Sequence, residues 1–289
     1  MEGNMFCYQC QEAAKGTGCV LRGVCGKKDT TARYMDLLLF VVRGVSVAAD
    51  ALRTKGHEVE AGTNEFVTDA LFSTITNANF DDESILARVR KGLELRDHLK
   101  ARAVKAGIVL PEADELTWNG KEGEYLAKSA SVGVLREPNE DLRSLKELLM
   151  YGLKGMAAYH EHAMRLGFAD EAIHAFMQSA LARITTQTMG ADELVALVLE
   201  TGQHGVQVMA LLDRANTTRY GHPELTKVNI GVGKNPGILI SGHDLHDLEE
   251  LLRQTEGTGV DVYTHSEMLP GHYYPCLLYT SPSPRDGLL

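Results

Sequence analysis

Four of the five cysteines lie in one short stretch near the N-terminus, and this cluster limits what the chain can fold into more than any other feature. The stretch, CYQCQEAAKGTGCVLRGVC, runs from Cys7 to Cys25 with the spacing Cys-x2-Cys-x8-Cys-x5-Cys, and the next cysteine is Cys276. The glycines among and after the cysteines let the backbone turn tightly around a bound object. They are Gly16, Gly18, Gly23 and Gly26. Clustered thiols in a chain that otherwise avoids them predict a metal or redox site.

Several uses of the four thiols stay open from the residues alone. An iron–sulfur cubane takes one thiolate per iron, so unequal spacings within one compact loop suit it, and this use is favoured. A structural zinc site usually has two short Cys-x2-4-Cys knuckles, whereas only the first pair here forms one. The spacing matches neither common ferredoxin pattern, so zinc, a disulfide or idle thiols remain as alternatives.

Charge and hydropathy restrict the partners of the chain. Acidic residues outnumber basic ones by 39 to 29, and the basic residues are scattered, which predicts no binding to nucleic acid or to a membrane surface. The N-terminus has no signal-peptide pattern, and the longest apolar run, LLLFVV, is too short to cross a bilayer. We therefore expect a soluble, cytoplasmic protein that acts on small molecules or contacts other proteins.

The region from Thr30 to about Tyr220 has apolar residues at helical spacing nearly throughout. Its first segment, TTARYMDLLLFVVRGVSVAADALRTKG, is apolar on almost all sides, which predicts a buried helix that ends near Gly56. Residues 111–138 are mixed and dotted with glycine, so we expect a connection with a short helix around EGEYLAKSA. Successive helices with short breaks predict a helical bundle.

The pattern changes after residue 222 to short β-branched runs around one amphipathic helix. The order predicted is β-loop-β-α-β, the start of an α/β domain with a parallel sheet, in which GILIS and VDVYT flank a helix from Leu245 to about Thr255. A right-handed crossover would make these two strands parallel. His243 and Glu267 would then both lie just past strand C-terminal ends, where open α/β sheets bind ligands.

The histidines of this segment form the densest group in the chain, and with Glu267 they offer imidazole and carboxylate ligands. They are His243, His246, His265 and His272. His243 is the strongest candidate because Gly242 precedes it at a strand–helix turn, whereas His246 belongs to a first helical turn and His272 follows a Pro-Gly turn.

Other suggestive residues are interpreted without a functional role. His160 and His162 are two positions apart on a predicted helix and so point in different directions. Packing accounts for the isolated histidines His57, His98, His174 and His204. The stretch GVGKNPG lacks the phosphate-loop arrangement and contains a proline where a donor is needed.

The chain resembles the hybrid-cluster protein family, also called prismane protein or hydroxylamine reductase, from Met5 to Pro275. The resemblance lies in MFCYQCQEAAKGTGCVLRGVCGK, LLLFVVRGV and VNIGVGKNPGILISGHDLHDLEELLRQTEGTGVDVYTHSEMLPGHYYP. It implies that a [4Fe-4S] cluster is ligated by the four N-terminal cysteines. These are Cys7, Cys10, Cys19 and Cys25.

The family has a second centre, a hybrid iron–sulfur–oxygen cluster bound by one histidine, two glutamates and several cysteines. The matching motifs place its histidine at His243 and its first glutamate at Glu267. The other ligands lie further along family members, so the resemblance implies that this chain encodes the hybrid cluster only in part. We therefore expect the intact parent to be an enzyme and this truncated chain to be inactive.

The activity that the resemblance implies is reduction of hydroxylamine to ammonia and water, with the [4Fe-4S] cluster relaying electrons from an unidentified redox protein. Nitric oxide reduction at the same centre is an alternative within the family. An alternative of another class is a non-catalytic helical module whose cysteines hold zinc.

Four segments are predicted from these patterns: a cluster loop over 1–29, a helical bundle domain over 30–222 and the start of an α/β hybrid-cluster domain over 223–275. Residues 276–289 form the fourth, a turn-rich tail that lacks the family pattern and is predicted to be artefactual and disordered. The fold class expected is a mainly α-helical bundle followed by a truncated Rossmann-like parallel sheet.

Overall fold

The computed structural model describes residues 5–10, 12–75, 79–228 and 230–279. The chain divides into two compact units. The first contains Met1–Glu161 and Asp170–Val208, and the second contains His162–Ala169 and Met209–Leu289. The boundaries predicted at residues 29, 222 and 275 stay predictions.

The chain is helical from Asp29 to Tyr220 with short interruptions. The α-helices are α1 (Asp29–Thr54), α2 (Ala61–Ile75), α3 (Asp82–Lys105), α4 (Asp114–Thr117), α5 (Tyr125–Val132), α6 (Glu140–Arg165), α7 (Glu171–Thr186) and α8 (Ala191–Tyr220). Short 3₁₀ turns lie at Ala14–Gly16, Glu122–Glu124 and Val134–Arg136. The predicted mainly helical fold is confirmed, including the short helix α5.

Helix α1 lies at the centre of the first unit and packs against α2, α3, α5 and α7. Its residues Leu37 and Val41 are fully buried, because the segment is apolar on nearly every side. Gly92 of α3 lets the two helices approach closely, since a Cβ there would lie 2.6 Å from Val41. Helix α1 is followed by a turn at Gly56, whose φ of +78° favours glycine. The predicted burial and end of α1 are confirmed.

The second unit contains a small α/β element. Strand β1 (Gly237–Ser241) is followed by α9 (Leu245–Thr255), β2 (Asp261–His265), a 3₁₀ turn (Ser266–His272) and α10 (Pro275–Tyr279). Strands β1 and β2 are parallel, and their register pairs Gly237 with Asp261 and Ser241 with His265. The predicted parallel pair and the predicted bounds of α9 are confirmed, while β2 is shifted by one residue from VDVYT.

The first strand of the predicted β-loop-β-α-β order, which would precede Gly237, is absent from residues 223–228 and 230–236, and residue 229 lies outside the described residues. Ile230 and Val232 are each 78% exposed. A β-branched run forms a strand only where a neighbour accepts its backbone hydrogen bonds, and β1 pairs with β2 alone among the described strands. The prediction of a strand there was wrong.

The predicted disordered tail is ordered where it begins. Helix α10 covers Pro275–Tyr279, and Leu277 is only 4% exposed in a core that includes Leu245, Leu248 and Val262. Burial of an apolar side chain in this core stabilises the helix, so the prediction of disorder is wrong for residues 276–279. Residues 280–289 lie outside the described residues.

Within the described ranges, α8 is the one helix long and apolar enough to cross a membrane by length and composition. The core helix of a soluble protein meets the same criterion, so one such helix is weak evidence for a span. Leu194, Leu197 and Ala215 are fully buried. Helix α8 is therefore interpreted as a partly buried core helix.

Candidate metal centres

The cysteine loop, defined here as residues 5–28 apart from residue 11, is closed by backbone pairing of two of its cysteines. Cys7 and Cys19 form an antiparallel bridge, with both N–H···O distances 2.9 Å. Both residues are buried. Gly18 has a φ of +118°, and a Cβ there would lie 2.6 Å from the Phe6 ring. The eight residues between the second and third cysteines thus return the chain to Cys7.

The remaining turn of the loop holds Cys25. The N–H of Gly23 donates to the carbonyl of Lys27 at 2.9 Å, and the N–H of Gly26 donates to the carbonyl of Gly23 at 2.8 Å. A Cβ on Gly23 would lie 3.0 Å from Cys25 Sγ, so glycine permits this approach. Cys25 is exposed, and Cys10 is half-buried. The predicted role of glycine in tightening the loop is visible at these turns.

The donor set of the loop is suited to a metal–sulfur group. The N–H of Ala14 donates to Cys19 Sγ at 3.3 Å, an arrangement that stabilises sulfur carrying negative charge. Burial raises the pKa of the Cys7 thiol, although the backbone N–H of Gln9 acts in the opposite direction. Since only a thiolate binds metal, ligation at Cys7 would release a proton.

The described cysteines are all free thiols. Among the residues that the structure describes, no three His, Cys, Asp or Glu side chains are arranged to hold a single metal ion. A zinc ion draws its ligands to one point, whereas each thiolate of a cubane binds its own iron. The four thiols of the loop supply one thiolate for each iron of a cubane.

His243 and Glu267 face each other at the C-terminal ends of the two strands. Because Ser241 pairs with His265, the residues two positions further along each strand occupy equivalent places. Their side chains approach to 3.8 Å between Nε2 and Oε2 and are 69% and 64% exposed. We refer to His243 and Glu267 as the strand-end pair.

The backbone on both sides of the strand-end pair is fixed by unusual conformations. Gly242 has a φ of +140°, and Ser266 has a φ of +52°, which is rare for a residue with a side chain. Asp244 caps α9 by accepting from the N–H of His246 at 2.9 Å, and it also lies 3.4 Å from His162 Nδ1. These contacts hold the turn that presents His243.

The other histidines of the predicted group have different neighbours. His246 lies 3.3 Å from Glu249, and His265 lies 3.2 Å from the Ser241 hydroxyl. His272 is buried and lies 2.6 Å from the Thr264 hydroxyl. The structure therefore brings Glu267 together with His243 and not with the whole histidine group.

The chain matches the Prismane/CO dehydrogenase family over residues 5–282, which covers nearly all of it. The chain belongs to this family. The resemblance seen in the motifs is thereby confirmed. The match also runs into the first residues of the predicted tail.

Comparison with curated proteins gives relatives that are all hydroxylamine reductases among those described here. The hydroxylamine reductase of Desulfitobacterium hafniense (strain DSM 10664 / DCB-2) is 60% identical over 275 residues, covering 94% of this chain and 50% of the relative. Hydroxylamine reductases of Bacteroides fragilis (strain YCH46) and Clostridium botulinum (strain 657 / Type Ba4) are 59% and 52% identical and cover 95% and 94% of this chain. Those matches cover 50% and 52% of the relatives. The chain spans about half the length of the curated relatives it matches.

Two solved structures align less closely. The alpha subunit of an acetyl-CoA synthase/carbon monoxide dehydrogenase with NiZn[Fe4S4] and NiNi[Fe4S4] clusters is 12% identical, with a TM-score of 0.28, over 91% of this chain and 37% of its own. A Ni-free carbon monoxide dehydrogenase of Thermococcus sp. AM4 is 15% identical, with a TM-score of 0.24, over 91% and 40%. At these TM-scores the likeness carries no structural argument.

In this prismane-family chain, a buried polar network lies against the cysteine loop, and no sequence pattern predicted it. The Gln9 amide nitrogen donates to Asp36 Oδ1 on α1 at 2.6 Å, while its oxygen accepts from the Lys154 ammonium on α6. The Tyr151 hydroxyl donates to the carbonyl of Tyr8 at 2.7 Å, and the two tyrosine rings stack. Two helices thus anchor the segment between Cys7 and Cys10.

Burial perturbs the ionisation of this network. It raises the pKa of Asp36 to about 7, a shift reinforced by Glu147 and opposed by Lys154. It lowers the pKa of Lys154 to about 8, with Glu147 and Asp36 acting in the opposite direction. Both shifts follow from the cost of holding a charge away from water.

A second buried feature missed from the sequence is a pair of histidines on different helices. The rings of His160 and His174 lie 4.3 Å apart between centroids, and both residues are buried. Burial lowers the pKa of His160 to about 4 and, together with His160, that of His174 to about 3. Both are therefore neutral near pH 7. His174 and His204 are packed residues, since His204 stacks on Phe176 at 3.8 Å.

Proposed function

We propose that this chain is the electron-relay portion of a hydroxylamine reductase. The observation that carries the proposal is 60% identity to a hydroxylamine reductase across 94% of this chain. All the proposed ligands fall inside the family match over residues 5–282. The activity belongs to a protein of the relatives' full length, and we propose that the present chain alone does not turn over hydroxylamine.

The cysteine loop is proposed to hold a [4Fe-4S] cluster. Its ligands would be Cys7, Cys10, Cys19 and Cys25. Bound there, the cluster would supply one-electron transfer. The backbone pairing of Cys7 with Cys19 and the N–H donated to Cys19 Sγ support this assignment, and the exposed Cys25 leaves a short path for electrons from a redox protein.

The strand-end pair is proposed to supply two ligands of the hybrid cluster. Imidazole and carboxylate are both suitable ligands for iron, and the parallel register brings them together. The overall reaction is NH2OH + 2H⁺ + 2e⁻ → NH3 + H2O, with cleavage of the N–O bond. The part of this chain would be to orient His243 and Glu267 through the turns at Gly242 and Ser266.

The partners proposed are hydroxylamine as substrate and a redox protein as electron donor, in the cytoplasm. Similarity to hydroxylamine reductases supports the substrate, and the thiol cluster supports a reducing compartment.

Metal and sulfide analysis of the chain purified without oxygen tests the proposal. We expect iron and acid-labile sulfide in equal amounts, at the content of one [4Fe-4S] cluster, with a cubane EPR signal after reduction. Zinc without sulfide would overturn the proposal and support the zinc-binding helical module. Extra iron that is lost from a His243→Ala variant would extend the proposal to a partial second centre.

A further inference from the structure

The side chain of Gln9 connects two oppositely charged buried groups next to the cysteine loop. Its amide nitrogen donates to Asp36, and its oxygen accepts from Lys154. Because an ammonium group can only donate, the amide oxygen must face Lys154 and the nitrogen must face Asp36. The three side chains thus form one directional hydrogen-bonded chain from α6 to α1 through the Cys7–Cys10 segment.

All three residues are removed from water. Gln9, Lys154 and Asp36 are 3%, 2% and 7% exposed. Charges at such positions interact more strongly than surface charges, because water does not screen them. A buried charge also has a high desolvation cost. Neutral hydrogen bonds could hold the loop without that cost, so attachment alone does not explain two buried charges.

The loop has a separate fastening on α6. Tyr151 donates to the carbonyl of Tyr8 and stacks on its ring at 6.3 Å between centroids. This contact, one turn before Lys154, does not depend on the Lys154 charge. The loop is therefore attached to α6 without the charges of Lys154 and Asp36, so these charges can have a second role.

Reduction of an iron–sulfur cluster adds one negative charge to it, and the potential depends on net charge and hydrogen bonds around the cluster. We propose that the Lys154–Gln9–Asp36 chain sets the reduction potential of the cluster held by the cysteine loop, with Lys154 raising the potential and Asp36 lowering it. This inference rests on the proposed [4Fe-4S] cluster. Lys154 and Asp36 are positioning and tuning residues here and ligate nothing.

Other charged groups act electrostatically on Asp36 and Lys154, and the test leaves these groups unchanged. Glu147 on α6 and Arg43 on α1 both act electrostatically on Asp36, and Lys27 of the loop is 1% exposed and acts on Lys154. None of them is changed in the variants below. These three groups are therefore the same in the wild type and in each variant.

The test is an EPR-monitored redox titration of the whole chain with its cluster, at pH 7.5, for the wild type, Lys154→Met and Asp36→Asn. Loss of the cation should lower the potential, and loss of the carboxylate should raise it. We expect each shift to change the one-electron reduction equilibrium about tenfold, equivalent to about 59 mV. Lys146→Met is the matched control on the same helix, because Lys146 pairs with Glu137 and should leave the potential unchanged.

Opposite shifts in the two variants would support the proposal, whereas shifts of the same sign, or none, would overturn it. If Lys154→Met does not fold, Lys154→Arg should keep the wild-type potential while Asp36→Asn still raises it, and a wild-type value in Asp36→Asn would overturn the inference. Iron and sulfide content, measured first, separates the two proposals. A wild-type chain without sulfide overturns both, whereas a loaded cluster with unshifted potentials overturns the tuning role alone.

Discussion

The cysteine loop and the strand-end pair hold their proposed ligands in different ways. In the loop, Cys7 and Cys19 are buried and joined by two backbone hydrogen bonds of 2.9 Å. At the strand ends, His243 and Glu267 are mostly exposed, and no backbone bond joins these two residues directly; the register of the neighbouring strands places them. The loop joins two of its proposed ligands through the backbone, whereas the strand ends only bring two proposed ligands near each other.

This difference indicates how complete each proposed centre is within the chain. All four proposed ligands of the [4Fe-4S] cluster lie in one loop supported by buried side chains. The strand-end pair supplies two exposed groups, and a metal cluster held by two groups alone would be weakly bound. We therefore expect the loop to load its cluster in this chain and the strand ends to need further ligands.

The largest effect expected is loss of the cluster from the loop. Cys19→Ser should reduce iron and sulfide to background, because it removes a proposed ligand that also accepts the N–H of Ala14. Cys276→Ser is the matched control, since Cys276 lies outside the loop, and it should retain full content. Equal iron and sulfide content in Cys19→Ser and the wild type would contradict the assignment of the cluster to the cysteine loop, and with it the contrast between the loop and the strand-end pair.

The next effect concerns the strand-end pair in a protein that continues this chain to the length of its relatives. His243→Ala and Glu267→Ala should each abolish hydroxylamine turnover while the [4Fe-4S] EPR signal stays. His246→Ala is the control, because His246 lies beside Glu249 on α9 and not in the pair. Turnover that survives in the first two variants, or is lost in the control, would contradict the assignment.

The sequence predicted the structure correctly where the structure depends on local residues or on a periodic apolar pattern. The all-round apolar pattern of α1 predicted its burial, and β-branched runs around α9 predicted a parallel pair with His243 and Glu267 at one edge. The same criterion failed for the first predicted strand, which is absent from the described residues before Gly237, because strand formation depends on a neighbour that the pattern does not show.

Contacts between distant residues were beyond the reach of the sequence. Lys154 meets Gln9 across a separation of 145 residues, and nothing in its local pattern distinguishes it from a lysine on a solvated face. The rings of His160 on α6 and His174 on α7 lie 4.3 Å apart between centroids, although the two histidines are 14 residues apart along the chain. Buried ionisable groups of this kind are specified by packing between elements.

Smaller effects should follow from the backbone of the loop. Gly18→Ala forces a side chain into a positive φ and against the Phe6 ring, so it should lower the free energy of unfolding by about 1–3 kcal/mol and reduce cluster content. Gly16→Ala is a close control, because Gly16 also has a positive φ, +68°, but nothing lies near its added Cβ. A smaller loss in Gly16→Ala, measured by denaturant unfolding, would isolate the Phe6 contact.

A further effect is a pH dependence that arises in the interior of the first unit. The pKa values of His160 and His174 are about 4 and about 3 in the folded chain, against about 6.5 when unfolded, so the unfolded chain binds the extra protons first. Stability is therefore full above pH 6.5 and is lost as the pH falls from there towards 3, by at most about 1.4 kcal/mol per pH unit for each histidine. Denaturant unfolding between pH 7.5 and 4.5 measures the slope.

His174→Phe should flatten that slope, because it removes one of the two buried groups while it keeps an aromatic ring beside His160. His57→Phe is the control, since His57 is exposed and should leave the slope unchanged. If acid also releases the cluster from the wild type but less readily from His174→Phe, the loop draws its stability from the interior of the unit. The same slope in His174→Phe and the wild type would instead assign the acid sensitivity to other groups and weaken the contrast between a supported loop and an exposed strand edge.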